Sequence, residues 1–312
     1  MKLYTNHELQ VTATGHVEDE PGSRKLYQFL RDDYLAKMHQ GTIPELRAEL
    51  RNLKISTDGS APGVTFMDEA NGPQGQRRPL KFESEPGIEL RATLYVPSAA
   101  GRKPAVLFVA DSTRLMTSAA TLAEWAAEQG RVVLEMEPRN SLADADYGPL
   151  VGQWLANSRA DQIGLNLPAM RAHDILRGVD LLAARSDVDA SSIHAFARGV
   201  DGVWLLLAAT ADPRIGKLWL DRTPYSLRLA LENPVNTDLS DAVRRGFVLH
   251  RDLNDLVKAM GYRPVIWTDP TNWMRRVVSL TVPPYQYRYV LGDATDFSDA
   301  QDDAYLNQLP QQ

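Results

Sequence analysis

The chain has 312 residues, 44% of them hydrophobic and 24% charged, with a formal net charge of −6. A chain of this length and composition buries a sizeable core unaided, and it suits one large α/β domain or two small ones. The absence of cysteine excludes disulfides, thiolate metal sites and a cysteine nucleophile; no basic stripe points to nucleic acid, and no apolar run approaches the ~18 residues that span a bilayer.

The N-terminal segment, "MKLYTNHELQ", has no apolar signal-peptide core, and its abrupt start suggests a domain cut from a longer chain. Over 23–40, Leu26, Phe29, Leu30, Tyr34 and Leu35 recur at helical spacing. Pro44 opens a second helix, "PELRAELRNLKI", where proline suits a first helical position. Residues 57–77 are rich in Gly and Pro and read as loop. Residues 1–77 are therefore taken as a linker and helical lead-in, and 78–312 as the main domain.

The main domain starts with two antiparallel strands, "RRPLKFESE" and "IELRATLYVP", joined by "PG". An alternation comes next. "PAVLFVA" is a continuous apolar run, as in a strand covered on both faces. Helix "SAATLAEWAAEQG" leads to strand "RVVLEME", and the long amphipathic helix 167–186 leads to strand "SIHAFA". Then come helix "DGVWLLLAAT", strand "GKLWLD", helix "LNDLVKAM", strand "RPVIWTD", strand "YQYRYVLG" and a closing helix, "DAQDDAYLNQL". Strands alternating with helices imply a doubly wound, mostly parallel sheet with two antiparallel-type edge strands. Function in such sheets collects at the carboxyl ends of the strands.

The stretch 192–209, "SIHAFARGVDGVWLLLAA", outlines a strand, a glycine-rich turn and an apolar helix. That is the outline of a nucleophile elbow, but the turn has no Ser, Cys or Thr. Together with "HDILRGVDLLAARSDVDASSIHAFARG" and "DLNDLVKAMGYRPVIWTDP", it resembles the α/β-hydrolase superfamily, in the branch of bacterial acetyl xylan esterases and prolyl-oligopeptidase-like proteins. The resemblance covers about residues 78–309. It implies a carboxylic ester hydrolase that acts on carbohydrate, without cofactor or metal. The N-terminal "LYTNHELQVTATG" resembles linkers between tandem esterase-like domains, so a second such domain is an expected partner and a secreted or periplasmic parent is consistent with it.

The resemblance implies a nucleophile at the elbow, a carboxylate after a later strand and a histidine after the last one. Matching "GVDGVWLLLAA" to the family elbow puts Gly199 at the nucleophile position. The glucuronoyl-esterase-like register puts Ala197 there, followed by Arg198. Neither Gly199 nor Ala197 can attack a carbonyl. A third register makes Asp201 an aspartyl nucleophile, against the simpler reading of a first-turn acid that suits the helix dipole. Asp269 ends an apolar strand where the family's acid sits, or caps the next helix. The window after the last strand, "LGDATDFSD", holds no histidine, and of the six histidines His250 is the one candidate for a displaced base. His173 and His194 are read as structural. "DSTRLMT" replaces the oxyanion turn: Asp111 repels an oxyanion unless paired, for instance with Arg114, and Ser112 is a candidate displaced nucleophile.

What the crevice retains is Arg198, Asp221 and Arg222, with Glu135 and Arg139 at the neighbouring strand end, and aromatics such as Trp154, Tyr225, Trp267 and Trp273 that suit sugar rings. The expectation is thus an esterase-like domain without Ser–His–Asp hydrolysis, serving as an accessory or ligand-binding half. Its rivals are a hydrolase using Asp201 or Ser112, with Asp269 and His250, and a binding module for acidic sugars or carboxylates. The plain alternative is that these charges form salt bridges filling a vacant site.

Overall fold

The computed structural model describes residues 3–39, 41–67, 70–72, 75–109, 118–139, 154–233, 236, 239–242, 251–278 and 287–290. The helices are α1 (Leu26–Lys37), α2 (Ile43–Asn52), α3 (Ser118–Glu128), α4 (Trp154–Gln162), α5 (Leu167–Ala183), α6 (Asp201–Ala211), α7 (Leu239–Ala242) and α8 (Leu253–Ala259). The strands are β1 (Val64–Phe66), β2 (Ala70–Gly72), β3 (Gly75–Glu85), β4 (Ile88–Pro97), β5 (Lys103–Val109), β6 (Val132–Met136), β7 (Val188–Arg198), β8 (Ile215–Asp221), β9 (Val265–Thr268) and β10 (Tyr287–Val290).

One ten-stranded sheet runs in the order β1-β3-β4-β6-β5-β7-β8-β9-β10, with β2 on β3. From β3 onward the order is first, second, fourth, third, then sequential. β4 is antiparallel to both neighbours, and β6, β5, β7, β8, β9 and β10 are mutually parallel. The α/β expectation therefore holds, antiparallel edge strands included.

Side chains alternate between two cores, as the period-2 pleat requires. One face packs under α2, α5, α6 and α8 and contains Leu107, Leu134, Ile193, Ala195, Leu218, Leu220 and Trp267. The other packs under α3 and contains Val106, Phe108, Val133, Phe196, Trp219 and Ile266. α6 is apolar all round, so it is fully covered; Asp201 through Ala209 are all buried. α5 starts cleanly because Asn166 Oδ1 accepts the Ala169 N–H at 3.0 Å, with a proline in its first turn.

Two expectations change. Residues 57–77 contain two short strands, because β1 and β2 pair antiparallel with β3. All three β1 residues are exposed, so pairing with the sheet edge rather than burial holds that strand. The lead-in is also not uniform. α1 buries no residue, whereas α2 places Leu46 and Leu50 in the main core, followed by Ile55. α2 is capped by a reciprocal box in which Thr42 Oγ1 accepts the Glu45 N–H and Glu45 Oε2 accepts the Thr42 N–H at 2.7 Å.

The closing helix, Asp111, Ser112, Arg114, His250, the Trp154 side chain and the window 291–299 lie outside the described residues. Among the described residues, no helix is long and apolar enough to cross a membrane.

Candidate functional site

Three parallel strands end level with one another. Arg198 of β7 pairs in register with Asp221 of β8, and Asp221 with Thr268 of β9. Each is followed by a residue in the left-handed region: Gly199 at φ 62°, Arg222 at φ 47° and Asp269 at φ 41°. Main-chain bonds lock the row, with Gly199 N–H donating to Asp221 O and Arg222 N–H to Thr268 O, both at 2.9 Å. Glycine adopts this conformation without strain, whereas Arg222 and Asp269 each store on the order of 1 kcal/mol. Non-glycine residues held there tend to mark functional sites.

β7 runs straight through Ala197 and Arg198 and turns at Gly199, so Gly199 stands at the strand-to-helix corner and Ala197 lies inside the sheet, fully buried. The corner is tight. A Cβ on Gly202, in the first turn of α6, would sit 2.0 Å from Thr223 Oγ1. The "GVDG" spelling thus supplies the left-handed turn and the close approach of α6 to the β8 end.

Arg198, Asp221 and Thr268 alternate with Phe196, Trp219 and Ile266, so they share the α3 side of the sheet. Arg198 Nε donates to Asp221 Oδ2 at 2.5 Å, with side chains 4% and 1% exposed. Thr268 Oγ1 donates to Asp221 Oδ1 at 2.9 Å and accepts the Trp219 indole N–H at 2.7 Å. Burial pushes the Asp221 carboxyl above the usual carboxylate range, and the Arg198 charge opposes that rise. This network lies beneath the strand ends. Arg222 differs: it is half-buried, and no described residue gives its guanidinium a hydrogen bond or ion pair. Of the two arginines proposed to meet a ligand, Arg222 is the one with access to solvent.

The remaining sequence candidates sit elsewhere. Asp201 is fully buried in the first turn of α6, close enough to the fully buried Arg171 to act on its charge. Arg171 itself stacks 4.1 Å from the Trp204 ring centroid and bonds Asp241 Oδ1 at 3.1 Å. Asp201 thus lies beside an internal charge cluster of Arg171 and Asp241. Asp269 is 3% exposed and opens an irregular turn, not a helix: Thr271 bridges Pro224 and Val277, and the Val278 N–H donates to Pro270 O at 2.8 Å. The aromatic expectation for Trp267 is corrected. It is 0% exposed, its ring meets Tyr225 at 5.4 Å and its indole N–H donates to Thr223 O at 3.1 Å, because its register points it into the α5–α6 core. Trp273 is likewise buried, its N–H on Ser226 O at 2.8 Å.

Glu135 accepts the Tyr95 hydroxyl at 3.0 Å, and Arg139 is held by Asp174 and Glu85 at 2.6 and 3.0 Å. Arg139 O also accepts the Arg171 Nε–H at 3.1 Å. His173 is structural, bonded to Ser56 O at 3.0 Å. His194 is 5% exposed, within 3.3 Å of Ser192 Oγ, and burial with the Lys217 and Arg131 charges lowers its pKa to about 4. Among the described residues no cluster of three or more His, Asp or Glu could hold a metal ion. Thr268 was missed in the sequence; the one signal for it is a hydroxyl in the otherwise apolar strand "VIWT".

The sequence matches no protein-family model and no curated protein. Solved structures do resemble the fold. A Bacteroides fragilis protein designated an acetyl xylan esterase aligns with a TM-score of 0.65 at 12% identity, over 81% of this chain and 77% of its own. Acetyl xylan esterase 1 of Thermoanaerobacterium sp. aligns at 0.56 and 16%, over 92% and 99%. A CE15 glucuronoyl esterase of Teredinibacter turnerae aligns at 0.59 and 12%, over 89% and 90%. At these identities the likeness shows the fold alone, a mostly parallel sheet with flanking helices that these esterases share.

Proposed function

We propose that this chain is an esterase-like domain whose strand-end crevice binds a carbohydrate acid or ester without Ser–His–Asp hydrolysis, as the accessory half of a parent with a second esterase-like domain. The observation that carries the reading is Gly199 at the corner of β7 and α6, φ 62°, with no side-chain atom to attack a carbonyl. Acyl transfer needs an activated nucleophile at that point. Arg222 supports an anionic ligand: a strained, half-buried cation beside that corner without a described ion-pair partner. The acetyl xylan and glucuronoyl esterases of similar fold point to carbohydrate esters and uronic acids as the ligands to try. Fold likeness alone does not set function, so the site must be tested directly.

The test has two arms. Release of acid from acetylated xylan, activated acetyl esters and a glucuronate methyl ester is expected to stay at the buffer rate. Glucuronate or galacturonate is expected to raise the melting temperature, with the rise lost in Arg222→Ala. Turnover abolished by Asp201→Ala, Ser112→Ala, His250→Ala or Asp269→Ala would overturn the binding reading in favour of hydrolysis with a displaced residue.

A further inference from the structure

The carboxyl ends of α6 and α8 meet α2 around an open cavity of about 650 Å³, at the opposite end of α6 from Gly199. Three arginines line it, Arg47 and Arg51 on α2 and Arg263 just before β9, over a floor formed by Leu50, Ile55 and Met260. Arg47 Nη2 donates to Ala259 O at 3.1 Å. Arg263 Nε donates to Met260 O at 3.1 Å, and its Nη1 to Asp212 O and Ile215 O at 3.0 and 2.9 Å. These two arginines thus cap carbonyls at two helix ends.

Capping leaves charge over. Each helix C-terminus offsets about half an elementary charge, so two termini neutralise roughly one of three positive charges. No described carboxylate lies within ion-pair distance of Arg47, Arg51 or Arg263, and Glu45 and Glu49 of α2 are turned to Arg251. The carboxylate acting on Arg263, Asp212, is already held by Arg214 at 2.5 Å. Burial lowers the Arg263 pKa, and the Arg47 charge lowers it further, so the two guanidiniums stand close enough to repel. Arg47 and Arg51 are also one turn apart on α2, an unfavourable spacing for like charges. Three cations gathered against their own repulsion over an apolar floor complement one kind of molecule.

We propose that this cavity is a binding site for a small carboxylate with an apolar body, its head group held by Arg47 and Arg51 and its body laid on Leu50, Ile55 and Met260. The guanidinium fork matches a carboxylate in two hydrogen bonds. The site is separate from the strand-end crevice, so the two readings stand or fall independently.

The probes are benzoate and octanoate, with acetate testing charge alone and benzyl alcohol and octanol testing apolarity alone. Titration calorimetry is expected to show binding of benzoate or octanoate, with acetate and the alcohols at least about tenfold weaker. Arg47→Gln/Arg51→Gln is expected to weaken binding at least about tenfold, and Arg222→Ala to leave it unchanged. Arg263 is left intact because it holds three main-chain carbonyls. A melting temperature for the double variant near that of the parent shows that the fold survives. No binding by either acid at roughly 10 mM would overturn the proposal. So would binding unchanged in the double variant, equal binding of the alcohols, or binding lost in Arg222→Ala.

Discussion

Replacing Arg198 with methionine leaves the Asp221 carboxylate, 1% exposed, without its cation. Charges about 4 Å apart attract by about 4 kcal/mol at an effective dielectric of about 20. Removing one member of a buried pair costs about 3–5 kcal/mol, because the other stays desolvated. Asp221→Asn removes the carboxylate paired with Arg198, while keeping a group for the Thr268 hydroxyl. Arg198→Met with Asp221→Asn removes both charges and is expected to cost well under the sum of the singles. The coupling from a double-mutant cycle is then about 3 kcal/mol. Urea denaturation of the four proteins at neutral pH measures it. A coupling below about 0.5 kcal/mol would refute the claim that the pair is an internal structural link. It would return Arg198 to the list of groups available to a ligand.

His194 gives a pH signature. Its folded pKa is about 4, below the unfolded value near 6.5, so its contribution is complete above the unfolded value and is lost as pH falls toward 4. Between pH 7 and pH 4.5 the stability gap between parent and His194→Gln is expected to move by about 2 kcal/mol against the parent, and a flat gap would contradict the burial argument. Gly202→Ala drives a Cβ into Thr223 and is expected to cost about 2 kcal/mol in denaturation, with part recovered by adding Thr223→Ala. Gly199→Ala is expected to cost about 1 kcal/mol because of its positive φ, and Gly199→Asn less, since asparagine tolerates that region; equal losses would point to a side-chain clash instead.

The alternation of apolar runs with amphipathic helices made the sheet legible, because strands covered on both faces and helices with one apolar stripe leave different periods in the sequence. β1 and β2 were not legible: they are three residues each, held by pairing with β3, and the β1 residues are all exposed. The corner at Gly199 was legible because glycine announces a left-handed turn. The matching turns at Arg222 and Asp269 were not, since ordinary side chains occupy them and only the neighbouring strands impose the conformation. Trp267 shows the limit of reading aromatics: the residue type suits a sugar platform, but strand register sends it into the core. Arg47 and Arg263 stand too far apart in sequence for any local pattern to join them.

The hydrogen bond from Arg47 to Ala259 joins positions 212 residues apart. α2 packs on α6 and α8, so its docking closes most of the chain into a loop. Such a closure has a high entropic cost and is slow, because its reward comes only after the intervening strands have found their register. α2 is synthesised long before α8, on which it packs, and is expected to seat late. Until then Leu46 and Leu50 stand uncovered, and the nascent protein carries an apolar stripe waiting for the other end of its own chain.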